Sequence, residues 1–158
     1  MRNTAIPAGF WRGVNLSQNG FFREAFVDEM AAVAGSDSYQ FRRSLLTGNP
    51  RALAALDEAA RRAAWGRQTA GLHQGIAIVE GDNAWCAQVV TLSAEAGTIR
   101  LHRIVCVVDP NYIVHPGIVI AQMESSIVQG LSAALTGRIT VDRGVSTSRT
   151  SMTTRSCA

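Results

Sequence analysis

The chain has 158 residues, 47% of them hydrophobic and 17% charged, with a formal net charge of +3. That is enough for one domain with a real core and hardly enough for two, and its composition is that of an ordinary globular protein. All 15 basic residues are arginine and two of them, Arg149 and Arg155, lie in the tail, so the body is nearly neutral and the charge is a poor argument for nucleic acid.

The first residues carry no apolar signal core, so as given the chain is expected in the cytoplasm. Phe10-Trp11-Arg12-Gly13 follows: a bulky aromatic pair, a permanent cation with five N–H donors, and a residue that lets backbone approach a ligand closely. Two readings stand: a turn whose aromatics cap a core, or a segment that touches a bulky anionic cofactor. In residues 20–34 the pattern Phe22, Phe26, Met30, Val33 predicts a helix with that stripe inward, stopped by Gly35. Asp37 predicts the cap of a second helix, with Gln40 in capping-box position, Phe41 and Leu45 inward and Gly48 at the end. Arg42-Arg43 and Arg61-Arg62 read as solvated faces. Asn49-Pro50 opens a third helix carrying Leu53, Leu56, Ala60 and Ala63 to Gly66.

From here the period changes. Residues 75–80, about 84–94 and 98–108 read as strands, with Ala96-Gly97 as a hairpin turn and Ile104 to Val108 covered on both faces. After Asp109-Pro110-Asn111 and His115-Pro116-Gly117 comes a long apolar helix, about 118–135, ending at Gly137, and then a last strand, Arg138 to Val141. The expected fold is α+β: helices, then an antiparallel meander covered by the long helix. No unbroken apolar run reaches the ~18–20 residues of a membrane span. Residues 145–158, almost all Ser, Thr and Arg, read as a disordered tail.

Chemistry-bearing motifs are few. There is no phosphate-binding glycine loop, no G-x-S-x-G and no His-Glu-x-x-His. His73, His102 and His115 are isolated, Asp109 reads as turn-forming, and Cys86, Cys106 and Cys157 lack metal-ligand spacing. Cys86 and Cys106 read as buried small hydrophobes. Gln122 and Glu124 stand out on an apolar helix. If buried they need partners, either the preceding loop or a cofactor with carbonyl, amide and oxo groups.

Several of these segments, in one order, resemble a known family. Gly9-Phe10-Trp11-Arg12-Gly13-Val14, Ser17-Gln18-Asn19 and Phe26-Val27-Asp28-Glu29-Met30-Ala31 are similar to the stretch of molybdenum hydroxylase large subunits in which an Arg-Gly segment meets molybdopterin. The likeness continues through Asp37-x-x-x-Phe41-Arg42-x-x-Leu45-Leu46, Ala87-Gln88-Val89, Val107-Val108-Asp109, Ala121-Gln122-x-Glu124 and Gly130-Leu131-Ser132. It covers roughly residues 5–144. Within the xanthine dehydrogenase and aldehyde oxidoreductase family, it most resembles the branch of the isoquinoline 1-oxidoreductase beta subunit.

The resemblance implies part of a larger molybdopterin-binding domain, residues 1–144, with Arg12, Gly13, Gln122 and Glu124 as cofactor contacts. It implies molybdopterin in its cytosine dinucleotide form with Mo, an iron–sulfur small subunit, and an N-heteroaromatic or aldehyde substrate hydroxylated with oxygen from water. It also implies further N-terminal and C-terminal parts of the large subunit, in which family members can be periplasmic. The base glutamate of that family lies in a Gly-Glu motif downstream of all these segments, so the chain alone is expected to be inactive. Three departures stand out: Pro110-Asn111 stands where the family usually has Cys-Gly or a similar pair, His115-Pro116 where it has Asn-Pro, and Glu124-Ser125-Ser126 where it has Glu-Gly-Gly. The family's continuation ends in Ser-Asn-Phe-His-Asp-Tyr. Synonymous codons for Gly144 to Ala158, read one base back, can encode it, so residues from about 145 are expected to be a frameshifted reading that the coding DNA would reveal. The competing reading is a non-enzymatic α+β binding or interaction module that shares only the fold segment.

Overall fold

The computed structural model describes residues 9–67 and 69–146. They fall into two compact units, Arg12–Tyr112 and a second made of the residues up to Trp11 and from Ile113 onward. The fold is α+β, as the periodicities indicate.

In the first unit, α1 (Asn15–Val33), α2 (Ser38–Leu45) and α3 (Pro50–Arg62) precede three strands, β1 (His73–Gly81), β2 (Ala84–Glu95) and β3 (Thr98–Asp109). The strands form an antiparallel meander in the order β1-β2-β3. Both turns are tight and left-handed: Asp82 and Asn83 at φ 49° and 62°, Ala96 and Gly97 at φ 47° and 78°. Asn and Gly tolerate that conformation, and it matches the twist of the strands it joins.

Helix α3 packs on the sheet and closes the core. Its buried face is Ala52, Ala55, Leu56, Ala59 and Ala60, set against Ile76, Ile78, Trp85, Ala87, Val89 and Val105. Methyl-sized side chains let helix and sheet approach closely, and Leu56 fills the space between. The helix is fixed at both ends. Asn49 accepts from the Ala52 N–H at 3.0 Å, and Gln74 of β1 donates to the Ala63 carbonyl at 2.9 Å while accepting from the Gly66 N–H. The chain leaves α3 through Ala64 at φ 50°, two residues before the glycine expected to stop it.

The outer helices correct the sequence reading. Asp37 does cap α2, accepting from the Tyr39 and Gln40 N–H groups at 3.0 Å. The side chain that α2 buries, however, is Arg42 at 2% exposure, while Leu45 is 57% exposed. On α1 the predicted inward stripe faces out: Phe22, Phe26 and Val33 are all exposed, and the buried residues are Gly20, Glu24 and Ala31. The reason is proximity. A side chain on Gly20 would come within 3.3 Å of Val79, so α1 meets β1 through a small residue. Its polar groups then finish the open edge of β1. Glu24 accepts from the Ile78 N–H at 2.9 Å and Arg23 donates to the Ile78 carbonyl at 3.2 Å.

Carboxylates tie the elements together. Arg51 of α3 grips Asp109 at the end of β3 with two bonds of 2.8 and 2.9 Å, and Asp109 also accepts from the Asn111 N–H. Arg43 and Tyr39 of α2 hold Asp57 of α3. The Arg51 guanidinium pulls Asp109 down to about 2, and Arg61 with Arg62 does the same for Glu58. Arg43 lowers Asp57 as well. A carboxyl whose folded value lies below its unfolded one stabilises the fold fully above the unfolded value and loses that contribution as pH falls through the folded one. The urea midpoint should therefore hold flat from neutral pH down to about 5 and decline between about pH 4.5 and 2, and Asp109→Asn should flatten that decline. Urea titrations of both proteins across this range check it, and an unchanged slope in the variant would count against the Arg51–Asp109 link.

In the second unit, α4 (Pro116–Leu135) begins two residues earlier than the sequence suggests, with Pro116 in its first turn. The His115 ring accepts from the Ile118 N–H at 3.2 Å as its cap. Its 20 residues are long and apolar enough to cross a bilayer by length and composition, although Gln122, Glu124, Ser125 and Ser126 interrupt the apolar run. A mid-helix carboxylate costs about 2.5–3.5 kcal/mol in lipid, which favours cover by protein. The expected strand Arg138 to Val141 is replaced by a two-residue hairpin, β4 (Val141–Asp142) with β5 (Val145–Ser146), turned at Arg143 and Gly144 with φ 47° and 82°. Pairing thus runs two residues into the segment read as tail. Residues 147–158, where the remainder of that reading falls, lie outside the described residues.

Candidate cofactor-binding segments

The Arg-Gly segment is held at the head of α1. Leu16 lies over Gly81 at the end of β1, where an added side chain would meet the Leu16 Cδ1 at 2.5 Å, and Gly20 lies against Val79. These two contacts fix the first turns of α1 on the strand. A shallow cleft of about 460 Å³ runs beside them, lined by Leu16, Ser17, Gly20, Glu24, Ile76 and Val79 among others.

Ahead of the helix the backbone is left-handed twice in succession, Gly13 at φ 84° and Val14 at φ 48°. Glycine adopts this freely, but for a β-branched residue it is a genuine outlier, of the kind that costs about 1–3 kcal/mol and gathers at ligand-binding segments. The Ser17 hydroxyl braces the turn by donating to the Arg12 and Val14 carbonyls at 3.2 and 3.1 Å. No side chain caps the helix, since Val14 stands where Ser, Thr, Asp or Asn would serve. Arg12 and Gly13 are both exposed. The aromatics do not cap a core: Phe10 is 94% exposed and Trp11 55%.

Gln122 and Glu124 lie in the second and third turns of α4, both exposed. The Gln122 carbonyl accepts from the Ser126 hydroxyl at 2.7 Å. The need for buried partners, raised by the apolar sequence around them, does not arise. Arg12 with Gly13 belongs to one compact unit and Gln122 with Glu124 to the other. An exposed guanidinium beside a glycine turn suits an anionic group, and the Gln122 amide offers both a donor and an acceptor on its own unit.

The other sequence candidates resolve into structure. Asp109 is both turn and ion-pair partner. His102 pairs with Ser93 at 2.8 Å. Cys86 and Cys106 are half-buried and adjacent, a pairing that one-dimensional spacing conceals because they sit on neighbouring strands. Among the described residues no group of three or more His, Cys, Asp or Glu is placed to hold a metal ion.

Residues 79–156 match the family model of the molybdopterin cofactor-binding domain. The match takes in the end of β1, all of β2, β3 and α4, hence Gln122 and Glu124; Arg12 and Gly13 precede it. About half of the chain is thus recognisably of the molybdopterin cofactor-binding domain family. Among its curated relatives is the beta subunit of isoquinoline 1-oxidoreductase from Brevundimonas diminuta, 35% identical over 147 residues, covering 89% of this chain and 19% of that protein. A nicotinate dehydrogenase subunit from Pseudomonas putida is 26% identical over 167 residues, covering 91% of this chain and 14% of that protein. The chain thus spans less than a fifth of the length of either relative. No solved structure matches it.

Proposed function

We propose that this chain is a piece of the large subunit of a molybdenum hydroxylase, and that Arg12, Gly13, Gln122 and Glu124 contact the molybdopterin group. The observation that carries the reading is the exposed, strained Arg12-Gly13-Val14 turn in a chain with a molybdopterin-binding family match. Arg12 offers a fixed positive charge and N–H donors to phosphate and carbonyl oxygens. Gly13 lets the backbone approach where a side chain would intervene. The Gln122 amide can both donate and accept, and the Glu124 carboxylate can accept from ring N–H groups.

When bound, the group supplies a two-electron oxidation in which the new oxygen of the product comes from water. The substrate class is an electron-poor carbon of an N-heteroaromatic ring or an aldehyde. Both relatives carry the name of an N-heteroaromatic, isoquinoline and nicotinate, which supports the former. Electrons leave to an iron–sulfur small subunit, and the cytosine dinucleotide form of the group fits the branch resembled. By the resemblance the base glutamate lies in a Gly-Glu motif downstream of the segments matched here, and on that ground the chain alone is proposed to be inactive. We further propose that residues from about 145 onward are a frameshifted reading, which sequencing the coding DNA tests directly.

The test is elemental analysis. The chain purified alone should retain less than about a tenth of a molybdenum per chain. Assembled with the rest of the large subunit and with its iron–sulfur partner, it should retain about one. In the assembled enzyme Arg12→Ala should weaken cofactor retention by about 10–100-fold, the worth of one or two charge-assisted hydrogen bonds. Near-stoichiometric molybdenum in the isolated chain, or full retention in Arg12→Ala, would overturn the assignment.

A further inference from the structure

The face of the sheet turned away from α3 carries two thiols that none of the proposed chemistry uses. Along β2, Trp85, Ala87 and Val89 point into the core, so Cys86 and Gln88 point to the opposite face, as Cys106 does beside the buried Val105 of β3. Cys106 stands opposite Gln88 in the ladder and Cys86 opposite Val108, which makes the cysteines diagonal neighbours. Their sulfurs are 3.7 Å apart, with the Gln88 amide 3.7 Å from the Cys86 sulfur. Both side chains are half-buried, reachable by a small molecule yet held by the strands on which they sit.

We propose that Cys86 and Cys106 are a redox pair that closes to an intrachain disulfide on meeting a small-molecule disulfide. The bond requires the sulfurs to draw in from 3.7 Å to about 2.05 Å, by side-chain rotation together with a slight approach of the two strands at this diagonal pair. The two thiols differ in acidity. The Cys106 thiol and the Gln88 amide, donating to the Cys86 sulfur, bring Cys86 down to about 7, whereas its hydrogen bond to Cys86 and burial push Cys106 up. Cys86 is therefore the attacking thiolate. It attacks one sulfur of the oxidant, whose S–S bond breaks to release the first small thiol, which takes up the proton that Cys86 lost. The Cys106 thiol then gives up its proton and attacks the Cys86 sulfur of the mixed disulfide, expelling the second small thiol. Two protein thiols are oxidised and one external disulfide is reduced to two thiols. The closed bond clamps β2 to β3 within the stretch that matches the molybdopterin-binding family.

Oxidised glutathione tests this on the full chain carrying Cys157→Ser, so that only the pair remains. Under native conditions both thiols should disappear together, the mass should fall by about 2 Da, and an unreduced digest should yield a Cys86–Cys106 crosslinked peptide. Closure should be at least about tenfold faster in the folded protein than in urea, because the strands hold the thiols together. Cys106→Ser should stop at the glutathione adduct on Cys86. The proposal is overturned if the intact pair also stops at that adduct, if both thiols persist, if links form only between chains, or if urea does not slow closure.

Discussion

Replacing Arg42 with alanine is expected to cost about 3–5 kcal/mol, the range for breaking a buried ion pair by removing one partner. Its guanidinium is 2% exposed and makes four bonds: to Glu24 Oε2 at 2.9 Å, Asp28 Oδ1 at 2.6 Å, the Ser38 carbonyl at 3.1 Å and the Glu24 carbonyl at 3.0 Å. Without it, the carboxylate of Glu24 stays largely buried with only the Ile78 N–H and the more distant Arg23 for company. The penalty is chiefly that orphaned charge, not the lost attraction, so the double variant Arg42→Met with Glu24→Gln should recover most of it. A domain stable by about 5–15 kcal/mol overall would lose its folded population at modest urea in the single variant. Urea unfolding of wild type, single and double variants checks this. A single-variant loss below about 1 kcal/mol would mean that α1 and α2 are not joined through Arg42.

What the sequence discloses about this fold depends on which side chains do the packing. Helix α3 is legible because Asn49-Pro50 marks its start and its buried face is apolar at helical spacing. The second hairpin is legible from Ala96-Gly97. Helix α1 reads backwards because periodicity counts large apolar residues, and its inward face is Gly20, Glu24 and Ala31. A glycine against Val79 and a carboxylate completing the edge of β1 leave no apolar trace. Arg42 is misread for a similar reason: beside Arg43 it looks like a solvated pair, and only Glu24, 18 residues away, makes it a core residue. The candidate site divides the same way. The Arg12-Gly13 motif is visible in one dimension, whereas the strained Val14 and the contacts that seat α1 on Gly81 and Val79 need the folded chain.

The other large effect expected is at Leu56, whose truncation to alanine should cost about 3–5 kcal/mol, the upper part of the range for buried leucines. Leu56 is fully buried, and with Val89 it is among the largest side chains so enclosed in the described residues. How much a cavity costs depends on how far the surroundings can collapse into it. Here the neighbours on the helix are Ala52, Ala55, Ala59 and Ala60, whose methyl groups cannot reorient to fill space. Nor can α3 settle toward the sheet, since Asn49 and Gln74 hold its ends and Arg51 ties it to Asp109. The control is Leu45→Ala on α2, 57% exposed, which should change stability by no more than about 0.5 kcal/mol. Urea midpoints measured with an unchanged m-value would report the two costs directly. Equal losses at Leu56 and Leu45 would contradict the docking of α3 on the sheet, and with it the rigid platform from which β1 positions the Arg12-Gly13 turn.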